Sequence, residues 1–174
     1  MTSRLRLLAG VLALSLVASG GATAATGFSP KLLAGKWAGT WQNTTFGSTG
    51  PITATVKAPS NKKLVFTLDF GGNVFGCSDP APETITLVRG NGLNRWNAAG
   101  FRGKRTSKAF GTMSLTYKHA SKTLKGGGSN PACSSGLSWT LDGKFAGKKF
   151  TGKVTITLPD NQGSAVSQLE ATRT

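Results

Sequence analysis

The chain has 174 residues, of which 21 are lysine or arginine and 6 are acidic, so its formal net charge is +15. This excess favours anionic partners such as nucleic acid, acidic polysaccharide or lipid head groups, although the same charge can simply keep a protein soluble. One histidine, two cysteines and scattered carboxylates supply no nucleophile–base pair and no metal-ligand cluster in the sequence. We therefore predict that the protein is not an enzyme, with no catalytic residues, no metal site and no cofactor.

The first residues have the pattern of a secretory signal peptide. Arg4 and Arg6 precede an apolar stretch over 7–18, and the Ala-Thr-Ala of 22–24 fits a cleavage site. The apolar stretch is short for a membrane span and no second one follows, so we expect no transmembrane segment in a secreted or periplasmic mature form. The predicted boundaries are 1–24 for the signal peptide, 25–34 for an N-terminal segment and 35–174 for a single domain.

From residue 35 onwards, apolar and polar side chains alternate with period two. Leu64, Phe66, Leu68 and Phe70, for example, share one face, while the residues between them share the other. Such alternation predicts half-buried antiparallel strands, and the many glycines between the runs predict turns. The predicted strands are 36–42, 51–58, 63–70, 83–89, 94–101, 109–118, 121–127, 136–142, 149–158 and 164–173.

Many short sequential strands with tight turns predict an all-β fold, an antiparallel up-and-down meander that closes into a barrel of about 8–10 strands. The alternative is a two-sheet β-sandwich. A membrane barrel is disfavoured, because the faces opposite the apolar ones carry lysines where lipid would require apolar side chains. These lysines are Lys57, Lys63, Lys149 and Lys153.

Cys77 in FGCSDP and Cys133 in NPACSSG both lie in turn-rich stretches. In an oxidising compartment the pair is predicted to form a disulfide. In a ten-strand meander both cysteines fall in connections at the same end of the barrel, and this end also carries the longer connections. We predict that it is the mouth of a ligand cavity. The predicted connections at this end are 43–50, 71–82, 102–108, 128–135 and 159–163.

The densest basic stretch falls in one of these predicted loops, in the sequence RGKRTSK. Its cations could collect phosphate or carboxylate groups, which makes Arg102, Lys104, Arg105 and Lys108 candidate anion-binding residues; an ordinary solvated loop is the other interpretation. Further lysines lie near the opposite end, so basicity is predicted to be spread over the surface. Aromatic residues do not interleave with the basic runs, and no specific nucleic-acid partner is predicted.

Two later tryptophans differ in their neighbours. Trp96 lies in a weakly alternating strand beside the small residues Ala98 and Gly100, which would leave room inside a barrel, so Trp96 is a candidate ligand contact. Trp139 lies between Leu137 and Leu141 and is predicted to be part of the core.

Gly35-Lys36-Trp37 resembles the Gly-x-Trp motif on the first strand of calycin-type barrels, which include lipocalins, fatty-acid-binding proteins and avidins. In lipocalins a late-strand arginine stacks on this tryptophan and closes the base of the barrel, which implies a structural pair of Trp37 and Arg173. A guanidinium group over an indole ring is favourable by about 0.5–2 kcal/mol. We accordingly expect Trp37 and Trp41 to close the base and to contact a ligand only secondarily.

Two kinds of barrel within this group imply more. GTWQNTTFGS is similar to the first strand and loop of avidin-like proteins, which implies ligand contacts from Asn43 and Ser48. GKWAGTW resembles the Gly-x-Trp-x-Gly-x-Gly signature of nitrobindin-type haem barrels, with Trp41 in place of the last glycine. Those proteins ligate iron through a late-strand histidine, whereas His119 lies in a predicted turn at the short-loop end, so haem is not expected.

Together these patterns predict a secreted, non-enzymatic, calycin-like β-barrel that binds a small apolar or amphipathic ligand. The alternative is a basic structural protein with a filled barrel, which interacts with an anionic component of the cell envelope. The interior separates the two hypotheses, because a cavity of roughly 300 Å³ or more favours a ligand and full packing favours the surface role.

Overall fold

The structure is a computed structural model that describes residues 29–89, 100–107 and 109–174. The described residues form twelve strands and two 3₁₀ turns, at Pro30–Leu33 and Pro159–Asn161. The strands are β1 (Gly35–Asn43), β2 (Thr49–Ser60), β3 (Lys63–Phe70), β4 (Asn73–Val74), β5 (Cys77–Ser78), β6 (Glu83–Arg89), β7 (Gly100–Ser107), β8 (Gly111–Lys118), β9 (Thr123–Ser129), β10 (Ser138–Ala146), β11 (Lys149–Thr157) and β12 (Ser164–Arg173).

Ten of these strands close into one antiparallel barrel. The order around the ring is β1-β12-β11-β10-β9-β8-β7-β6-β3-β2, so each strand pairs with its neighbours along the chain and β1 pairs with β12. The first and last strands meet in a long register that runs from Trp37 opposite Arg173 to Asn43 opposite Ser167. The predicted up-and-down barrel is confirmed, and the two-sheet sandwich is wrong.

Alternating burial along the strands produces the core. In β8, Met113, Leu115 and Tyr117 are buried, whereas Thr112 and Ser114 between them are exposed. Because successive strand residues point to opposite faces, a strand such as β8 contributes one apolar row to the interior and one polar row to the surface. The core is therefore the inside of the barrel.

The barrel has two different ends. The base carries the 3₁₀ turn Pro30–Leu33 and the mouth carries the hairpin of β4 and β5, which is inserted between β3 and β6. The described base turns are 61–62, 119–122 and 147–148, and the longer described mouth connections are 44–48, 71–82, 130–137 and 158–163. Within the described part of the chain, no helix is long and apolar enough to cross a membrane.

The largest difference from the predicted strands is at β7. The sequence predicts a strand over 94–101 and a mouth loop over 102–108, but Gly100–Ser107 is a strand paired with β8 along its whole length. Arg102, Lys104 and Arg105 therefore belong to the barrel wall, and their assignment to a mouth loop is wrong. The physical reason is that ladder hydrogen bonds with β8 order this backbone although its residues do not alternate in polarity.

The shortest ladder in the ring joins β6 and β7, with Val88 opposite Arg102 and Arg89 opposite Phe101, both near the base. Towards the mouth a side chain continues the connection. The Ser107 hydroxyl donates to Glu83 Oε1 at 2.7 Å and accepts from the backbone N–H of Phe110 at 2.9 Å. This contact holds the two strands together beyond the end of their ladder.

Candidate functional site: an apolar cavity beneath a disulfide-linked hairpin

A cavity of about 160 Å³ lies inside the barrel. Its walls are apolar side chains from nearly every strand, and among the described residues neither a cationic nor a carboxylate side chain lines it. The aromatic residues in its lining are Trp37, Trp41, Phe66, Phe70, Phe75, Phe110, Trp139, Phe145 and Phe150. A charged group would have to lose its hydration here without an ionic partner, so the chamber suits a neutral molecule.

Polar groups line the cavity at the mouth end. Asn43 is the last residue of β1, and it pairs with Ser167 of β12. The backbone N–H of Asn43 donates to the carbonyl of Ser48 at 2.7 Å. All three residues line the cavity, and Asn43 and Ser167 are buried. The predicted residues Asn43 and Ser48 thus lie at one site, and Ser167 joins them. Ser167 was missed because its significance depends on the β1–β12 register.

The orientation of the Asn43 amide is fixed by the following loop. Its Oδ1 atom accepts hydrogen bonds from the backbone N–H groups of Thr45 and Phe46, each at 2.9 Å. These are the bonds of an Asx turn, which uses the amide oxygen. Among the described residues both side-chain hydrogen bonds of Asn43 are made by Oδ1, so Nδ2 is the atom that can donate to a ligand.

The hairpin of β4 and β5 covers the mouth. Its two-residue turn, Phe75-Gly76, has positive φ at both positions, 52° and 80°, which is the backbone form typical of tight hairpins. Such a φ is unfavourable for phenylalanine. The turn nevertheless directs the Phe75 ring inward, where it stacks on Trp139 at 5.9 Å and meets the Phe110 ring edge-on at 6.1 Å. The Phe75 side chain is therefore part of the cavity roof.

A disulfide joins this hairpin to the opposite side of the mouth. Cys77 at the start of β5 is bonded to Cys133 in the β9–β10 connection, with the two Cα atoms 5.2 Å apart. The Ser134 hydroxyl, next to Cys133, donates to the carbonyl of Phe75 at 2.7 Å. The predicted disulfide and its placement at the mouth are both confirmed, and the bond ties the cover of the cavity to the wall.

The base of the cavity is sealed by Trp37. Its Nε1–H donates to the carbonyl of Leu33 in the 3₁₀ turn at 3.0 Å, and Arg173 Cζ lies 5.9 Å from the centre of its ring. The Arg173 guanidinium also donates to the carbonyls of Leu32 and Ala34. The structure thus contains the contact that the calycin resemblance implied, and it shows in addition that the arginine fastens the 3₁₀ turn across the base.

Trp41 does not share this position. Its Nε1–H donates to the carbonyl of Gly71, in the connection between β3 and the mouth hairpin, at 2.9 Å. Trp139, predicted as core, is buried and donates to the carbonyl of Phe110 at 3.0 Å. The expectation that Trp37 and Trp41 both close the base is wrong for Trp41. Trp41 is four positions after Trp37 on β1, which places it about 13 Å nearer the mouth.

The remaining candidates are placed as follows. Trp96 and Lys108 lie outside the described residues. Arg102, Lys104 and Arg105 lie on β7, and their predicted role in binding anions stays a prediction.

Among the described residues, no group of three or more histidine, cysteine or acidic side chains could hold a metal ion. The base turn residue His119 has its pKa lowered by burial and by the nearby Lys122 and Arg89.

No protein-family model matches this sequence, and no curated protein matches it significantly. Among solved structures, it is similar to EF1p2_mFAP2b bound to DFHBI, with a TM-score of 0.40 and 11% identity over 83% of this chain and 95% of that chain. It is also similar to a conserved protein of unknown function with a hot dog fold from Alicyclobacillus acidocaldarius, with a TM-score of 0.23 and 10% identity over 84% of this chain and 81% of that chain. At these values neither structure identifies a family or a ligand for this chain.

Proposed function

We propose that this protein is a non-enzymatic, calycin-like binding protein that holds one small, neutral, mostly apolar ligand inside its barrel. The observation that supports this most is the uncharged cavity with its polar groups gathered at one end. A cavity that resulted only from loose packing would not be expected to have Asn43, Ser48 and Ser167 together in its lining, because burying polar groups in an apolar chamber is costly. The base closure by Trp37 and Arg173 agrees with the calycin resemblance.

The cavity volume limits the size of the ligand. At about 160 Å³ the interior is neither fully packed nor as large as the roughly 300 Å³ given above as favouring a ligand, which is the size of pockets that hold drug-sized molecules. It is close to the cavity of about 150 Å³ that binds benzene in an engineered lysozyme core. The expected ligand therefore has about the size of one substituted aromatic ring or a short alkyl chain.

The polar end of the cavity sets the ligand's functional group. Asn43 Nδ2 is a donor, and the hydroxyls of Ser48 and Ser167 can donate or accept. A ligand carbonyl, ether or hydroxyl oxygen would match this set, while a carboxylate would bring a charge into an uncharged chamber. We propose a neutral ligand with one acceptor oxygen directed towards Asn43.

The cellular location is part of the same proposal. A disulfide such as Cys77–Cys133 persists in oxidising compartments, which supports a secreted or periplasmic protein. The signal-peptide pattern of 1–24 supports this too, and N-terminal sequencing of the protein recovered from the producing cells tests it.

Three probe molecules of similar shape test the binding chemistry. Acetophenone, ethylbenzene and benzoate all carry one aromatic ring. Acetophenone has a neutral acceptor oxygen, ethylbenzene has no hydrogen-bond acceptor, and benzoate carries a negative charge. We expect affinity to fall in that order in calorimetric titrations, because only acetophenone satisfies Asn43 without a charge. Equal affinity for benzoate and acetophenone would contradict the proposal.

Variants show whether the probe enters the barrel. Ala54 lines the cavity, so Ala54→Leu should fill it and abolish acetophenone binding. Ala38 is exposed on β1, so Ala38→Leu adds the same atoms outside and should leave binding unchanged. If both variants bind as the unmodified protein does, the ligand site is not this cavity. Native mass spectrometry of the purified protein would then identify the natural ligand directly.

A second pair of variants tests the role of Asn43. Asn43→Asp keeps the oxygen that accepts from Thr45 and Phe46 but replaces Nδ2 with an oxygen, and we expect at least a tenfold loss of acetophenone affinity, the size of one hydrogen bond or more. Asn130 makes a similar loop contact, to the N–H of Gly136, without lining the cavity. Asn130→Asp is therefore the matched control and should bind normally.

A further inference from the structure

Positive charge is concentrated at the base of the barrel. Exposed basic residues occupy the base turns or the one or two strand positions next to them, and we call this set the basic ring. It comprises Lys31, Lys36, Lys62, Lys63, Arg89, Lys118, Lys122, Lys148 and Lys149. The sequence predicts basicity spread over the surface, and Lys57, Lys125 and Lys153 do lie on the wall, but the meander also brings basic turns that are distant in sequence to the same end.

The acidic residues lie elsewhere. Asp69, Asp79, Glu83 and Asp160 are all in or next to the mouth connections. The other two acidic residues of the chain are on the wall. Asp142 forms an ion pair with Lys125, with Oδ2 and Nζ 2.7 Å apart, and Glu170 lies within β12. The molecule is therefore electrostatically polarised along the barrel axis, with its cations at the base. The pKa of His119 is lowered first by burial and then by Lys122 and Arg89, and the contribution of the two cations agrees with this polarity.

Exposed apolar side chains accompany the basic ring. Leu32, in the 3₁₀ turn of the base, is 63% exposed, and Val88, opposite Lys63 across β3 and β6, is 53% exposed. The third large exposed apolar residue of the described chain, Phe46, is in the β1–β2 connection at the mouth. Lysines around a few protruding aliphatic groups form the combination that binds the interface of an anionic bilayer.

We infer that the base of the barrel docks on the surface of an anionic lipid bilayer through the basic ring, with Leu32 and Val88 in contact with the interface. A nucleic acid fits less well, because non-specific recognition of single strands uses exposed aromatic platforms, and the large exposed apolar residues of the described part of the base are aliphatic. A nucleic-acid duplex or an acidic polysaccharide presents a charged, polar surface, which would not bind the aliphatic side chains of Leu32 and Val88. Docking by the base leaves the mouth facing away from the lipid.

Vesicle flotation tests this inference with charge-matched variants. The protein should float with phosphatidylcholine vesicles that contain phosphatidylglycerol and much less with phosphatidylcholine alone, and high salt should weaken the binding. Each lysine near an anionic surface contributes about a fivefold change in partitioning, so Lys62→Gln with Lys148→Gln should lower it roughly 25-fold. All variants carry the same N-terminal residues, so any contribution from that segment is common to them.

The controls separate location from total charge. Lys125→Gln with Lys153→Gln removes the same charge from the wall, beside Asp142, and should lower partitioning less than threefold. An equal loss in both double variants would overturn the inference, since net charge alone would then explain binding.

Apolar variants separate a bilayer from a soluble polyanion. Leu32→Gln with Val88→Thr should reduce vesicle binding severalfold without changing retention on heparin or duplex DNA. If vesicle binding is unaltered by this pair, or if Phe46→Gln at the mouth weakens it instead, base-first docking on lipid is wrong. Tighter binding to heparin or DNA than to the vesicles would also overturn it and would identify a soluble polyanion as the partner. None of these outcomes depends on whether the cavity binds a ligand.

Discussion

The two ends of the barrel are closed by different means. At the base, Trp37 is covered by a 3₁₀ turn and by Arg173, both continuous with the strands that they adjoin. At the mouth, the cover is a hairpin inserted between two strands, held by a disulfide and by the stacking of Phe75 on Trp139. A cover that is built separately from the wall can move without breaking the barrel ladder. Under the proposed function, we therefore expect the ligand to enter at the mouth.

The largest expected effect comes from removing the covalent tie at the mouth. Cys77 and Cys133 are 56 positions apart, and a cross-link that closes such a loop stabilises a protein by about 4 kcal/mol in the chain-entropy model. Cys77→Ser with Cys133→Ser should lower the free energy of unfolding by that order, measured by urea denaturation. Reduction of the unmodified protein should give the same loss and should not affect the double variant. A loss below about 1 kcal/mol would mean that packing alone holds the hairpin.

A second prediction concerns the exclusion of water from the interior near the base of the barrel. Burial raises the pKa of Tyr117, which lies one residue before the base end of β8, to about 12. Because the folded state resists ionisation, its stability should be intact below pH 10 and should fall as pH rises towards 12, by up to roughly 3 kcal/mol for this group. Tyr117 is the single tyrosine, so phenolate absorbance reports on it alone. A folded-state midpoint near 10 would show that water reaches the base interior.

The smallest expected change in stability comes from the hairpin turn. Phe75→Gly relieves the positive φ of phenylalanine, worth about 1–2 kcal/mol, which offsets much of the lost burial and ring contacts with Trp139 and Phe110, so we expect a net loss of about 1 kcal/mol. Acetophenone should nevertheless associate faster, as followed by stopped-flow quenching of tryptophan fluorescence. Phe75→Leu keeps a cover over the cavity and should associate at nearly the original rate. Equal rates for all three proteins would place the entrance elsewhere.

Much of the architecture follows from the alternation of side chains. The strands 63–70, 83–89 and 164–173 begin and end where the sequence predicts, because each alternates between mostly apolar buried residues and more exposed ones. β9 has a weaker pattern for a physical reason. A side chain at Gly126 would collide with Leu115, and one at Gly128 with the Trp139 ring, so glycines occupy positions where neighbouring strands carry bulky residues.

The site was less predictable than the fold. Asn43 and Ser48 could be selected because they are close in the sequence and resemble a known loop. Ser167 could not, since only the pairing of β1 with β12 brings it beside Asn43. Phe75 was missed because a phenylalanine with positive φ has no local signature, and its inward direction depends on the disulfide and on Ser134 across the mouth.

The pairing of β1 with β12 also has a kinetic consequence. Every other ladder of the ring joins consecutive strands of the ring, with only the β4–β5 hairpin inserted between β3 and β6. This ladder instead requires the first and last strands to meet after the whole sequence between them has been ordered. Contacts at such long separation slow folding to milliseconds or longer. During that interval β1 and β12 expose unpaired edges that can join other molecules. Refolding yield should therefore fall as protein concentration rises, long before the native barrel itself shows any tendency to associate.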